Sequence, residues 1–264
     1  MLECVINISE GQDSVSLEAL KEACSPALLD VHSDAHHNRT VFTLGGPVVE
    51  EMARALTLCA IDHIDLNSHA GAHPRFGAVD VVPFVPVPHT ESSMEQAIVA
   101  RNDFAKWLGE LGVPTFLYGP ERSLPEVRRT AFSSLAPSFG PAHPHSRAGA
   151  TAVGARPVLI AYNLWLQTPD IGLARTVARS IRSPNLRTLA IPVGSDVQVS
   201  CNLVNPSMVG PDEAYEAVRQ HAAIARAELV GLIPEEVLRT TEASRWKMLD
   251  IDEGRTIEGR LAAL

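Results

Sequence analysis

The stretch RTLAIPVGSDVQVSCNLVN, residues 187–205, decides the fold. Two β-rich runs, 187–194 and 197–205, meet at Gly-Ser-Asp, a composition suited to a hairpin turn. A hairpin here gives meaning to its flanks. Upstream, PVLIAYNLWLQ (157–167) reads as a strand and DIGLARTVARSIR (170–182) as a helix. Downstream, PDEAYEAVRQHAAIARA (211–227) reads as a helix, ELVGLIP (228–234) as a strand, and PEEVLRTT starts a further helix. The order strand, helix, two strands, helix, strand is that of the split βαβ, ferredoxin-like unit.

The first half opens with the same order. ECVINIS (3–9) reads as a strand, and DSVSLEALKEAC (13–24) as a helix capped by Asp13 or Ser14. Strands over 27–33 and 39–46 flank the polar loop DAHHN. A strong helix over 47–64 and a strand over 78–87 complete the unit; Pro83 and Pro86 ask for a sheet edge or a bulge in that last strand. A capped helix (90–112), a strand (114–119) and an irregular span (120–151) that opens with a short helix follow. We read an α+β chain of two ferredoxin-like (split βαβ) subdomains, 1–156 and 157–264. Such a unit lays helices on one sheet face only, so the other face needs cover from the sister half, a second chain or a ligand.

Composition narrows the function. A net charge of −9 argues against a nucleic-acid partner, whose phosphates demand a basic surface, but it leaves room for a local basic pocket. No window reaches the ~18 apolar residues of a membrane span, and MLECVINISE lacks the form of a signal peptide. Cys4, Cys24, Cys59 and Cys201 are scattered without C-x-x-C spacing and read as reduced thiols of a cytoplasmic protein.

Chemistry concentrates in NSHAGAHPRFGAVD (67–80). His69 and His73 have H-x-x-x-H spacing, but Gly71 and Pro74 work against the shared helix face that a metal pair would need. His36, His37, His143 and His145 are further possible ligands whose spacing does not require a metal, and none is expected. Acid–base work fits better: an imidazole exchanges protons near neutral pH, and Arg75 offers a forked cation for a carboxylate. The alternative is a helix-end cap and a surface charge. A second cluster, DVHSDAHHNRTVFT (30–43), places Asn38 and Arg39 at the opening of a strand. Arg39 there serves either a substrate carboxylate or an ion pair with Asp30 or Asp34. The third, FGPAHPHSRAGATAVGAR (139–156), has the glycines to hold a flat ligand through main-chain N–H groups but lacks nucleotide-loop order.

Taken together, ECVINISEG, LLDV…NRTVFTLGG, HAGAHPRFGAVDVVPFVPV, VPTFLYG, FGP…GATAVGARPVLIAYNLWL, QVSCNLVNP and AELVGLIPEEVL resemble the formiminotransferase domain of glutamate formimidoyltransferases and formiminotransferase-cyclodeaminases, in order along the whole chain. The resemblance implies two ferredoxin-like subdomains with a cleft between them, as a homodimer. It implies transfer of a formimino group from N-formimino-L-glutamate to N5 of tetrahydrofolate, with no metal. The family's catalytic histidine falls on His73. Its folate loop falls on Gly140, Pro141, Ala142, His143, Pro144, His145, Ser146, Arg147, Ala148 and Gly149. Asn38, Arg39, His69 and Arg75 complete the substrate and folate contacts in that reading. The chain departs from the family pattern at His32, where an acid is usual, at Ala72, where a glutamate is usual, and at Ala148, where a stacking aromatic is usual. Two other readings stand beside this one: a small-molecule binder without turnover, and a histidine-based metal hydrolase.

Overall fold

The computed structural model describes residues 1–71 and 75–264. The chain divides into two compact units, Met1–Pro157 (joined by Leu264) and Val158–Ala263.

In the first unit the elements are β1 (Leu2–Ile8), α1 (Ser14–Cys24), β2 (Leu28–Asp34), β3 (Arg39–Gly45), α2 (Val49–His63), β4 (Val79–Pro86), α3 (Met94–Glu110), β5 (Thr115–Tyr118), α4 (Leu124–Thr130) and β6 (Thr151–Ala155). They form a six-stranded sheet in the order β2-β3-β1-β4-β6-β5. The first four strands are antiparallel neighbours, and β6 and β5 extend the sheet in parallel beside β4. In the second unit β7 (Ile160–Leu166), α5 (Ile171–Ser180), β8 (Leu186–Val193), β9 (Asp196–Leu203), α6 (Pro211–Arg219) and β10 (Ile224–Val230) build a sheet ordered β10-β7-β9-β8. Short helices α7 (Glu235–Thr240), α8 (Trp246–Leu249) and α9 (Ile257–Ala262) follow. Counted within its own unit, each split βαβ has the strand order 4-1-3-2, the ferredoxin-like arrangement expected from the element order.

Alternation explains why these runs pair. In β1, Cys4, Ile6 and Ile8 face a core shared with Leu20, Ala53, Leu56, Phe104 and Leu108 of the helices. On the opposite face, Phe116 and Tyr118 of β5 and Val81 of β4 pack against Val127 of α4. The second unit repeats the scheme with Tyr162, Leu164, Val199, Cys201 and Leu229 under Ala174, Val177 and Val218. Asp13 is the cap of α1, accepting from the Val15 and Ser16 N–H groups.

Two expectations are corrected and a third is narrowed. Residues 151–155, read as part of an irregular segment, form strand β6 between β4 and β5; Thr-Ala-Val-Gly-Ala is short and poor in the bulky side chains that mark a strand. Strand β10 begins at Ile224, inside the stretch read as helix, because the Ala-rich run 222–227 carries helical propensity that pairing with β7 overrides. Of the edge or bulge asked for by Pro83 and Pro86, the edge is not found, since β4 is interior, but its ladder with β1 carries an irregularity, a register shift between Asn7 and Ile8.

Candidate active site

One end of the first sheet gathers the turn after β1, the β2–β3 turn, the segment leading into β4, and the turn before β6. Glu10 opens the arrangement. Its Oε1 accepts from the N–H groups of Gly11, Gln12 and Asp13 at 2.8, 2.7 and 2.8 Å, fixing the β1–α1 turn. Ser9 reaches across to the 77–78 backbone, its hydroxyl donating to the Gly77 carbonyl at 2.7 Å.

The β2–β3 turn is stapled by a buried histidine. Asp34 accepts from the His37 N–H at 2.8 Å and from His37 Nδ1 at 2.7 Å. Burial alone would raise the Asp34 carboxyl; the two His37 hydrogen bonds outweigh it and hold the group well below the usual carboxylate range. Asn38 follows in the left-handed region, φ 46°. Its side chain accepts from the Gly11 N–H at 2.8 Å and donates to the Ala70 carbonyl at 2.8 Å, so one amide ties two loops together.

That second loop carries His69 and Arg75. His69 Nε2 donates to the Asn38 carbonyl at 3.1 Å, and Arg75 donates to His69 Nδ1. The partners assign the neutral Nε2–H tautomer. Burial, then the Arg75 charge, push the His69 ring below its ordinary value. Arg75 also donates to the His37 carbonyl at 3.3 Å. Gly71 makes this packing possible, because a Cβ there would lie 2.5 Å from the His37 oxygen. His73 and its neighbours Ala72 and Pro74 lie outside the described residues.

Asp80, 2 % exposed, is the anionic hub of the site. It accepts from the Phe76 N–H at 2.9 Å and from both Arg128 terminal nitrogens, the shorter contact at 2.5 Å. Arg39 feels burial first, which disfavours its charge, and then Asp80 and Asp34, which favour it; Arg128 and Arg75 are close enough to oppose them. Of the partners weighed for Arg39, Asp34 therefore acts on it, and Asp80 joins. Arg39, Arg75 and Arg128 here interleave with the carboxylates Asp34 and Asp80.

The glycine-rich segment divides in two. Its end is a tight turn: His145 and Gly149 exchange backbone hydrogen bonds at 2.8 and 2.9 Å, and His145 Nδ1 accepts from the Ala148 N–H at 3.0 Å. Gly149 has φ +69°, and a side chain there would collide with the Phe76 carbonyl. This turn docks on the 65–78 segment through Leu66 N–H to Arg147 O, Ala78 N–H to Ala148 O and Ala150 N–H to Phe76 O, each 2.8–2.9 Å. Arg147 faces Asp65, and Asn67 donates to the Ser146 carbonyl. Ala148 is buried in the core. The start is elsewhere: Gly140 packs on Gly109 at the end of α3 and on residues 113–114 before β5. Pro141 is half-buried, and Ala142, His143, Pro144 and Ser146 are exposed, apart from half-buried His145. Asn38, Arg39, His69, Arg75 and the 145–149 turn thus come together, while Gly140 sits apart from them.

Sequence reasoning missed Glu10, the Asp34–His37 staple and the Asp80–Arg128 pair. A lone aspartate inside the apolar strand AVDVVPF was a signal for Asp80; nothing in the pattern of α4 marked Arg128. Among the described residues no cluster of three metal-ligating side chains occurs, and no helix is long and apolar enough to cross a membrane.

Comparison with known proteins gives consistent matches. Residues 1–156 match the family described as formiminotransferase domain, N-terminal subdomain. The chain is 34% identical to a glutamate formimidoyltransferase of Thermoplasma acidophilum, over 99% of this chain and 97% of that protein. It is 34% identical to a glutamate formimidoyltransferase of Streptococcus pyogenes serotype M1, over 90% of each. It is 35% identical to the formimidoyltransferase-cyclodeaminase of Gallus gallus over 90% of this chain and 51% of that longer protein.

Proposed function

The chain belongs to the formiminotransferase family, and on that premise we propose that it is a folate-dependent transferase, moving the formimino group of N-formimino-L-glutamate to N5 of tetrahydrofolate with His73 as general acid and base. The observation that carries the reading is the convergence of Asn38, Arg39, His69 and Arg75 with the 145–149 turn at one sheet end.

In this reading N5 attacks the amidine carbon of the donor. An N5–carbon bond forms, and the former double bond to nitrogen opens into a tetrahedral adduct. Collapse breaks the bond between that carbon and the glutamate nitrogen. N5 gives up a proton and the departing amine gains one, so a single imidazole that takes the first and returns it to the second balances the reaction. Arg75 and Arg39 orient the donor through its carboxylates, which lowers the entropic part of the barrier. For tetrahydrofolate the exposed 142–144 stretch is the part of the segment open to a ligand: Ala148 is buried, and the main chain of 145–149 is engaged in its own turn and on the 66–78 segment. No step requires a metal. The same reading carries a homodimer in the cytoplasm, with small-molecule partners only; light scattering tests the dimer.

The experiment is a glutamate-release assay on the purified chain. Release of one glutamate per formimino group acquired by tetrahydrofolate is expected, and none without tetrahydrofolate. Binding of tetrahydrofolate by calorimetry without glutamate release would instead favour a binder, a reading to which the departures at Ala72 and Ala148 lend weight.

A further inference from the structure

His69 lies four residues before His73, and the obvious role for it would be a second proton carrier. Its surroundings point elsewhere. We infer that His69 is a positioning residue: as a neutral ring it holds Arg75 for the donor carboxylate, and protonation of the ring in acid releases that arginine and weakens donor binding. This rests on the proposed transfer from a carboxylate-bearing donor.

Both ring nitrogens are engaged. Nε2 gives its proton to the Asn38 carbonyl at 3.1 Å, and Nδ1 receives a hydrogen bond from Arg75. A ring in that state has no lone pair left for a substrate proton. Its two partners are themselves fixed. Asn38 is pinned by the Gly11 N–H and the Ala70 carbonyl, each at 2.8 Å. Arg75 is held from a second side by the His37 carbonyl at 3.3 Å, and Asp34 locks the His37 main chain and ring. The arginine is therefore held on the His37 carbonyl and on a titratable ring.

The charged groups around the ring favour neutrality. Arg75 on the same segment opposes a second positive charge; Glu10, from the turn after β1, acts weakly the other way. The β2–β3 turn contributes Asp34, His37 and Arg39, β4 contributes Asp80, which acts on Arg75, and α4 contributes Arg128, paired to Asp80. When acid forces a proton onto Nδ1, the acceptor becomes a donor and two cations face each other. Arg75 must then leave the ring. The donor carboxylate is the same group before and during transfer, so a loosened hold on it falls mainly on donor binding.

The test uses the full chain. Ring-nitrogen NMR of His69 is expected to show the neutral Nε2–H tautomer at neutral pH and a midpoint below the ordinary value of about 6.5. In kinetics, His69→Leu is expected to raise the donor KM by about ten-fold or more while kcat changes by less than about three-fold. His69→Asn, which keeps an oxygen acceptor near the Nδ1 position, is expected to recover part of that loss, and its KM no longer climbs as pH falls. An Nδ1–H tautomer, a midpoint at or above about 6.5, a collapse of kcat in His69→Leu at unchanged KM, or equal behaviour of the Leu and Asn variants overturns the inference. If the wild-type chain releases no glutamate, the functional reading falls on its own, and the ring-nitrogen spectrum still decides whether His69 accepts from Arg75.

Discussion

A methyl group at Gly71 would lie 2.5 Å from the His37 carbonyl oxygen and 2.7 Å from an Arg75 terminal nitrogen. Gly71→Ala is therefore expected to push Arg75 off the His69 ring and the His37 carbonyl and cut kcat/KM by about 10²-fold. Asp80→Asn leaves the Arg128 charge facing a neutral amide next to a buried position, and an equilibrium urea titration is expected to show a loss of about 3–5 kcal/mol. Asp34 gives a pH dependence with a definite sign. Its carboxyl is held below its ordinary value in the folded chain, so the unfolded chain takes up the proton first as pH falls. The stabilisation is whole above the ordinary carboxylate range and is lost as pH drops through the folded value. Stability measured from pH 6 down to pH 3 is expected to fall less steeply for Asp34→Asn than for the wild type. At this scale the sequence revealed residues whose local setting was unusual: His69 and Arg75 among glycines and proline, Asn38 and Arg39 beside a polar turn. It hid Asp80 and Arg128, because their partnership spans 48 positions and exists only once α4 has folded over β4.

Elements whose signals are local matched their reading closely. Helix α3 starts where a capping box is written: the Ser93 hydroxyl accepts from the Gln96 N–H, and Gln96 returns the bond to the Ser93 N–H at 3.0 Å. Ser93→Ala is expected to cost about 1 kcal/mol, read by thermal or urea unfolding. Where local preference and pairing disagree, pairing wins. The alanines of 222–227 favour helix, yet from Ile224 the backbone completes the ladder of β7, and a buried strand edge left unpaired would cost more than the helical propensity gained. Likewise β6 has weak side-chain credentials but sits between two parallel neighbours that supply hydrogen bonds on both sides. The turn before β6 thereby acquires its position: it is the last piece of backbone before an interior strand, and it lands on the segment that carries Arg75.

Across the whole molecule, the repeated order of strands and helices was legible because hydrophobic period and turn composition are both local. The strand order within each sheet followed from that repeat. The extension of the first sheet by β6 and β5 did not, since nothing in a strand's own residues names its neighbour. Each unit has its own apolar core. Residues 158–264 produced alone are accordingly expected to show a cooperative urea transition and a native-like far-ultraviolet spectrum; a non-cooperative, molten response would show that the second core depends on the rest of the chain. The balance of charge belongs to this scale as well. Donor binding is expected to weaken as salt rises, because ions screen a charge-assisted contact between Arg75 and a donor carboxylate within about 8–10 Å.

The account turns on proton exchange at His73. The direct measurement is single-turnover transfer at saturating formiminoglutamate and tetrahydrofolate by the wild-type chain and by His73→Ala, with tetrahydrofolate binding checked in both. The account expects the variant to bind tetrahydrofolate as the wild type does and to transfer the formimino group about 10²–10⁴-fold more slowly. Transfer at the wild-type rate by His73→Ala would contradict it.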